Sequence, residues 1–442
     1  MRSHRSFARA AAVLVSSGLF TGLMGGVALA HGPGHPGNGH GHTPSHKTAL
    51  YVSPSGKPGA ADRNCRSAAF STVQSAVDAA GNGSTVVVCR GTYMEDVVVS
   101  KSLTLTGKRG AVIQGTSSTT LMCTQVGPKG PYQVPCLAGI TLEKGHSTVQ
   151  GLTVTGATGE GILATGSLAG GSISQVVIEH NRVVGNNIGG LPNGDPAGYV
   201  ECEPSGQIPG DCGEGIHLMG VTDSTVSHNL VKGNVGGVLL TDELGPTADN
   251  VISHNVITRN AYDCGVTAPG HNPFALDSTG KPQPAKAGVY RNLIEHNQIT
   301  FNGLKGEGAG VLFANATAGT ASYNNVVAYN YIAGNELSGV TLHAHTIGSG
   351  QFEDLSGNQI VHNTIGKNNT GGDPLDSPAT AADPSTTGIL VFSASVPVNV
   401  KIAHNRISHN TYGIWLGVGG HATASTSHNV FQDVTTHLFT SP

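Results

Sequence analysis

Charge is what this chain has least of: Asp, Glu, Lys and Arg make up 11% of its 442 residues. So few charges exclude disorder of the high-charge kind. A net charge of −4, from 23 basic and 27 acidic residues, leaves no large basic surface for nucleic acid. No C-x-x-C spacing occurs among the seven cysteines, which argues against a structural zinc site. Beyond residue 30 there is no second apolar run long enough to span a bilayer. A soluble chain with no membrane span after processing is expected.

The first thirty residues differ from the rest. Arg2, Arg5 and Arg9 precede an apolar stretch from Ala10 to Leu29, broken by Gly18, Gly22, Gly25 and Gly26 and closed by Ala28-Leu29-Ala30. A basic start and a small-x-small end read as a secretory signal peptide over 1–30, against the rival reading of a membrane anchor. A secreted, extracellular protein follows. Residues 31–48 then form a His/Gly/Pro-rich linker, HGPGHPGNGHGHTPSH with five histidines. Its composition suits a flexible tether, or a tail that scavenges a metal ion. In an oxidising compartment the local pairs Cys65–Cys89, Cys123–Cys136 and Cys202–Cys212 are the expected disulfides, leaving Cys264 over.

What is abundant is glycine, 64 residues, and β-branched residues arranged in a repeat. Copies include VVIEHNRVVGN ending at Asn186, NVISHNVITRN at Asn260, NLIEHNQITFN at Asn302 and VKIAHNRISHN at Asn410. Aligned on the first asparagine, they fall at 181, 229, 255, 297, 330, 363, 405 and 429. Ile or Val stands three residues before in all but the last, and Val, Ile or Phe two residues after. Intervals of 24 to 48 residues fit a minimal coil with loops inserted at one place. The alternation has period two, so the coils are strands rather than helices. A second strand opens with glycine in each coil, as in GVLL from Gly237, GVLF from Gly310 and GIWL from Gly413. The residues one and three after the glycine should face the core. The second, including His217, Leu239, Thr267, Thr341 and Trp415, should face out.

With these motifs the chain resembles the secreted bacterial right-handed β-helix repeat proteins of the pectate-lyase-like superfamily, from about Leu50 to the C-terminus. The resemblance implies an all-β fold, a right-handed parallel β-helix solenoid with a short N-terminal capping helix. That helix is expected within Phe70–Ala80, and the single domain spans 49–442. The ladder asparagines are expected to take the left-handed backbone at a coil corner and to bond the equivalent amide one coil away. The preceding histidines should stack alongside, in contact with solvent.

Alignment on the strand-opening glycine also shows which distant residues meet. Four to six positions beyond it lie Asp242 and Glu243, then His271, then Asn315, then His343 and His345. Segments 245–250, 268–286 and 347–356 read as insertions walling this strip. Asp242 or Glu243 is the candidate base or cation ligand, and His343 or His345 the candidate acid or a second ligand. His271, Asn315, Lys305, Glu307 and Trp415 are candidate substrate contacts, with Asp263 outlying. The signatures of polygalacturonases, pectin esterases and pectate lyases are missing.

Three functions remain open. One is an enzyme acting on an extracellular polysaccharide, by lyase- or epimerase-type proton abstraction from a uronate. The second is a non-catalytic glycan-binding or cell-envelope protein using Trp415 or Tyr412. The third is an extracellular metal-handling accessory protein. The cofactor is unknown, with calcium or another divalent cation as the candidate, and the sequence does not give the oligomeric state.

Overall fold

The computed structural model describes residues 49–116, 122–127, 130–135, 138–167, 171–187, 214–305, 308–315, 317–344, 352–370, 386–393, 396–417 and 420–441, of which 122–127 and 130–135 in backbone only. Segments 1–30 and 31–48, Glu307, His345, Cys136, Cys202, Cys212, the side chain of Cys123 and the start of the 347–356 insertion lie outside the described residues.

The described chain winds into a parallel β-helix. Among the described residues three long parallel sheets run its length: sheet A with 12 strands, sheet B with 11 and sheet C with 11. Each full coil passes from A to B to C, as in Leu293–Glu295, Gln298–Thr300 and Val311–Asn315. A fourth, five-stranded sheet of two-residue strands closes the middle coils between C and A. One of these strands is Thr247–Ala248. Segment 245–250 is therefore part of the wall and not an insertion. Residues 268–270 likewise finish the strand Val266–Gly270, so that insertion begins at His271.

Strand register stacks like on like. Ile178, Val226, Ile252 and Ile294 are consecutive partners in sheet A, and Val231, Ile257 and Ile299 in sheet B. All are fully buried in one continuous core. Fully burying each aliphatic side chain is worth about 1.5–3 kcal/mol, and stacking repeats that gain at every coil. Glycine opens the sheet C strands because the corner leaves no room. A Cβ on Gly265 would lie 2.3 Å from Ile299 Cγ2 and 2.7 Å from Gly310 O.

The corners are held by asparagine. Asn297 Oδ1 accepts from Asn255 N at 2.9 Å and Asn255 Nδ2 at 3.0 Å, while its own Nδ2 donates to Asn330 Oδ1 at 3.0 Å and Ile252 O at 2.8 Å. The pattern runs unbroken from Asn181 to Asn429. A second ladder runs from Asn186 to Asn410 at the B-to-C corner. A third joins Asn250, Asn292, Asn325 and Asn358 ahead of sheet A. In one respect the corner differs from expectation. The left-handed residue is the one before the asparagine, such as His254 (φ 57°) or His296 (φ 53°). An inward amide must reach the next coil, so the tight φ falls to its neighbour.

At the N-terminal end the helix Val73–Ala79 covers the core, inside the expected 70–80 segment. Glu95 caps it by accepting from Val73 N and Gln74 N at 2.7 and 2.9 Å. Cys65 and Cys89 form a disulfide as expected. Cys264 is a buried thiol accepting from Ala309 N at 3.2 Å. Among the described residues no helix is long and apolar enough to cross a membrane.

Asn297→Ala strips acceptors from Asn255 and a donor from Asn330 inside the core. It should cost about 3 kcal/mol, measured by chemical denaturation. His296→Asn at the adjacent exposed corner position should stay within about 0.5 kcal/mol.

Candidate functional site

Alternation along sheet C sends every second side chain away from the core, in register over successive coils: Leu163, His217, Leu239, Thr267, Leu312, Thr341, Leu390 and Trp415. The direction is as expected, but the exposure is not. His217, Leu239, Thr267, Thr341 and Trp415 are all buried. This outer face is covered, and its middle coils carry a polar chain between two apolar patches.

The chain begins with a carboxylate and an imidazole. Glu160 Oε1 lies 3.5 Å from His217 Nδ1, and His217 Nε2 lies 2.9 Å from Thr241 Oγ1. All three are fully buried. Two residues past Thr241, Glu243 Oε1 meets His271 Nδ1 at 2.5 Å, with side-chain exposures of 19% and 12% that bring this pair to the solvent edge. Burial works to raise the Glu243 pKa. The charge and hydrogen bond of His271 overrule it, aided by His217 and Thr241, and hold it down at about 2. Alongside, Thr267 Oγ1 donates to Asp263 Oδ2 at 3.0 Å. Glu214 and Asp263 flank Gly236, where a Cβ would sit 3.0 Å from Glu214 Oε1 and 3.3 Å from Asp263 Cβ.

Asp242, next in sequence to Glu243, has a different job. Its Oδ1 accepts from His271 N at 2.8 Å and Asn272 N at 3.0 Å, and its Oδ2 from Gly288 N at 2.7 Å. The carboxyl group pins both ends of the 271–288 loop to the coil and so positions His271. Burial, and next the charge of Glu243, push its pKa up to about 7 against the pull of those backbone donors.

The other expected residues divide. His343 lies two coils beyond the His271 strand, facing outward, buried and edge-on to Phe392 at 5.7 Å. Asn315 has the opposite parity. It is fully buried against Gly270 and cannot reach a ligand outside. Trp415 packs beneath Phe439 and Tyr412 at 1% exposure, so it offers no aromatic platform. Lys305 lines a separate cleft of about 340 Å³ with Arg259, Tyr262 and Phe301. Among the described residues no three His, Cys, Asp or Glu side chains converge as metal ligands.

Sequence reasoning missed Glu160, Glu214 and His217 as a functional set. A signal was present. Gly159-Glu160-Gly161-Ile162 and Gly213-Glu214-Gly215-Ile216 repeat the same four residues at the same strand opening, in coils that pair directly.

The arrangement matches known proteins in fold. A family profile described as "Right handed beta helix region" matches residues 133–280 and 285–431. The A-module of Azotobacter vinelandii mannuronan C-5 epimerase AlgE4 is similar at 16% identity, over 84% of this chain and 94% of that one, with a TM-score of 0.51. Pectate lyase Pel9A follows at 13% identity, 90% and 78% coverage and a TM-score of 0.49. PfbA, a surface adhesin of Streptococcus pneumoniae, has 14% identity, 83% and 86% coverage and a TM-score of 0.48. Identities this low speak to the fold alone. No curated protein sequence matches.

Two outcomes follow. Asp242→Ala leaves three backbone N–H groups without their acceptor. Hydrogen exchange at His271, Asn272 and Gly288 should rise by at least tenfold while the coil amides stay protected. A Glu243 pKa lowered from 4.5 to about 2 contributes stability that is complete above the ordinary glutamate range and lost as pH falls towards 2. Glu243→Gln should therefore destabilise near neutral pH by on the order of 2 kcal/mol. That difference should vanish in acid, read from denaturation at several pH values.

Proposed function

From a chain that belongs to the right-handed β-helix family, we propose an exported protein that acts on an extracellular polysaccharide at the solvent edge beyond the ends of the sheet C strands, where Glu243 and His271 meet. The Glu243–His271 pair is the reacting centre. The observation that carries this is the 2.5 Å contact at the solvent edge. A carboxylate bound to one imidazole nitrogen fixes the tautomer and orients the ring, and the other nitrogen then exchanges a proton with the substrate. His271 Nε2 is that atom, and Glu243 positions it. Behind them Thr241 stands between Glu243 and His217, whose ring Glu160 orients in turn.

The finer reading is proton abstraction beside a uronate carboxylate, of lyase or epimerase type. Electrostatics sets a condition on it. Glu243, held ionised beside His271 with its pKa at about 2, repels a bare uronate carboxylate. That substrate carboxylate must therefore be neutralised. Calcium or another divalent cation is the ion the resemblance suggests, but no described group of three ligands fits one. Full burial of Glu160, His217 and Thr241 favours the competing reading, a glycan binder that turns nothing over.

A panel of uronate and neutral polysaccharides, with and without calcium, separates the two. Unsaturated ends are read by ultraviolet absorbance, and epimerisation or hydrolysis by NMR. On the responding substrate His271→Asn should lower kcat by about 10²–10⁴. Glu243→Gln should lower it less and shift the pH profile. Retention on a polysaccharide with no product from any of them would leave the binder.

A further inference from the structure

The repeat carries a second feature that the sheet C site does not use. Before each ladder asparagine at the A-to-B corner stand His180, His228, His254, His296, Tyr329, His362, His404 and His428, each with φ between 53° and 58°. Their rings stack from coil to coil without a break, with centroids 4.7 to 5.1 Å apart. The row is exposed. His180 and His296 side chains are 62% and 47% accessible, and Tyr329 and its neighbour Tyr331 are 52% and 49%.

Corner geometry does not demand histidine. The matching position at the B-to-C corner takes Gly185, Gly233, Arg259, Phe301 and Gly334 with the same sign of φ, and glycine or asparagine fills such a place at less strain. The inter-coil hydrogen bonds belong to the asparagines, so the imidazoles are surplus to the fold. Nor does the row suit a metal. Parallel stacked rings aim their in-plane nitrogens side by side and not at one point.

What the row does present is one titratable donor per coil, in a straight line. The charged groups around it are Glu179 and Glu295, each next to a ladder histidine at 3.8 and 4.0 Å, and, on the flanking strands, Lys401, Arg182, Lys232 and Arg406. Cations outnumber anions even before any imidazole is protonated. His404 is held below the ordinary imidazole range by desolvation and by the charges of His362, His428 and Lys401.

We propose that this histidine–tyrosine ladder is a second glycan-binding surface, taking a linear acidic polysaccharide lengthwise along the coil axis. A sugar residue in an extended chain is comparable in length with one coil rise. Successive carboxylates can thus meet successive imidazolium groups, while Tyr329 and Tyr331 give ring faces for sugars to stack on. Protonation turns the surface on as pH falls. It holds a strand whether or not the Glu243–His271 pair is catalytic.

The test is retention of the full mature chain on immobilised polygalacturonate and on neutral dextran, at about pH 5.5 and about pH 7.5, either side of the ordinary imidazole value of about 6.5. Polygalacturonate affinity should be at least about tenfold higher at the lower pH and should weaken with added salt. Dextran should show no such change. The combined variant His228→Asn, His254→Asn, His362→Asn and His404→Asn keeps a residue suited to left-handed φ and should lose the increment. Equal affinity at both pH values, or an increment that survives in the ladder variant, would overturn the proposal. Should the fourfold variant not fold, imidazole NMR signals of the wild type decide. The ladder resonances must shift on adding polygalacturonate and not dextran, and unmoved resonances would equally overturn it.

Discussion

Everything in this molecule depends on coils lying in register, and buried asparagine amides enforce that register. An amide has both a donor and an acceptor, so it can pass a hydrogen bond to its copy in the next coil without leaving either atom unmet. Aliphatic columns alone would tolerate sliding, because an isoleucine packs almost as well against several neighbours. A displaced amide would instead leave polar atoms unpaired in an apolar interior. Three such ladders at three corners fix the rotation of the coils they join, from Asn181 onward.

With rotation fixed, residues far apart in sequence become neighbours by arithmetic. Glu160, His217, Thr241 and Glu243 come from three successive coils of sheet C, and His271 arrives from the next on a loop that Asp242 pins. A fold made of near-identical rungs thus gains a local, irregular chemistry wherever the rung sequence departs from its own average. The polar chain is such a departure, between apolar stretches of the same outer face.

Much of the fold was legible because its signals repeat. The His-Asn pairs, the flanking aliphatic positions and the strand-opening glycines each recur at the same offset, and structure and sequence agree on them. Glu243 and His271 were also within reach, since alignment on Gly237 and Gly265 puts them at the same offset. Three things were not legible. Parity at a strand end buried Asn315, because the strand Val311–Asn315 runs longer than the glycine-aligned motif suggests. Trp415 looked like a surface aromatic, yet Phe439 from the following coil covers it. Asp242 and Glu243 were treated as interchangeable, although adjacent residues on a strand end point oppositely: one staples a loop and the other reaches the edge.

The most direct trial of the account is a crystal structure of the protein soaked with an oligosaccharide cut from the polysaccharide that retains it. The account places a sugar at the solvent edge beyond the sheet C strands, with a ring atom within hydrogen-bond distance of His271 Nε2 and His271 still bound to Glu243. An oligosaccharide seated only elsewhere, with the Glu243–His271 edge closed to it, would contradict the assignment of the reacting centre and leave the asparagine-locked scaffold standing by itself.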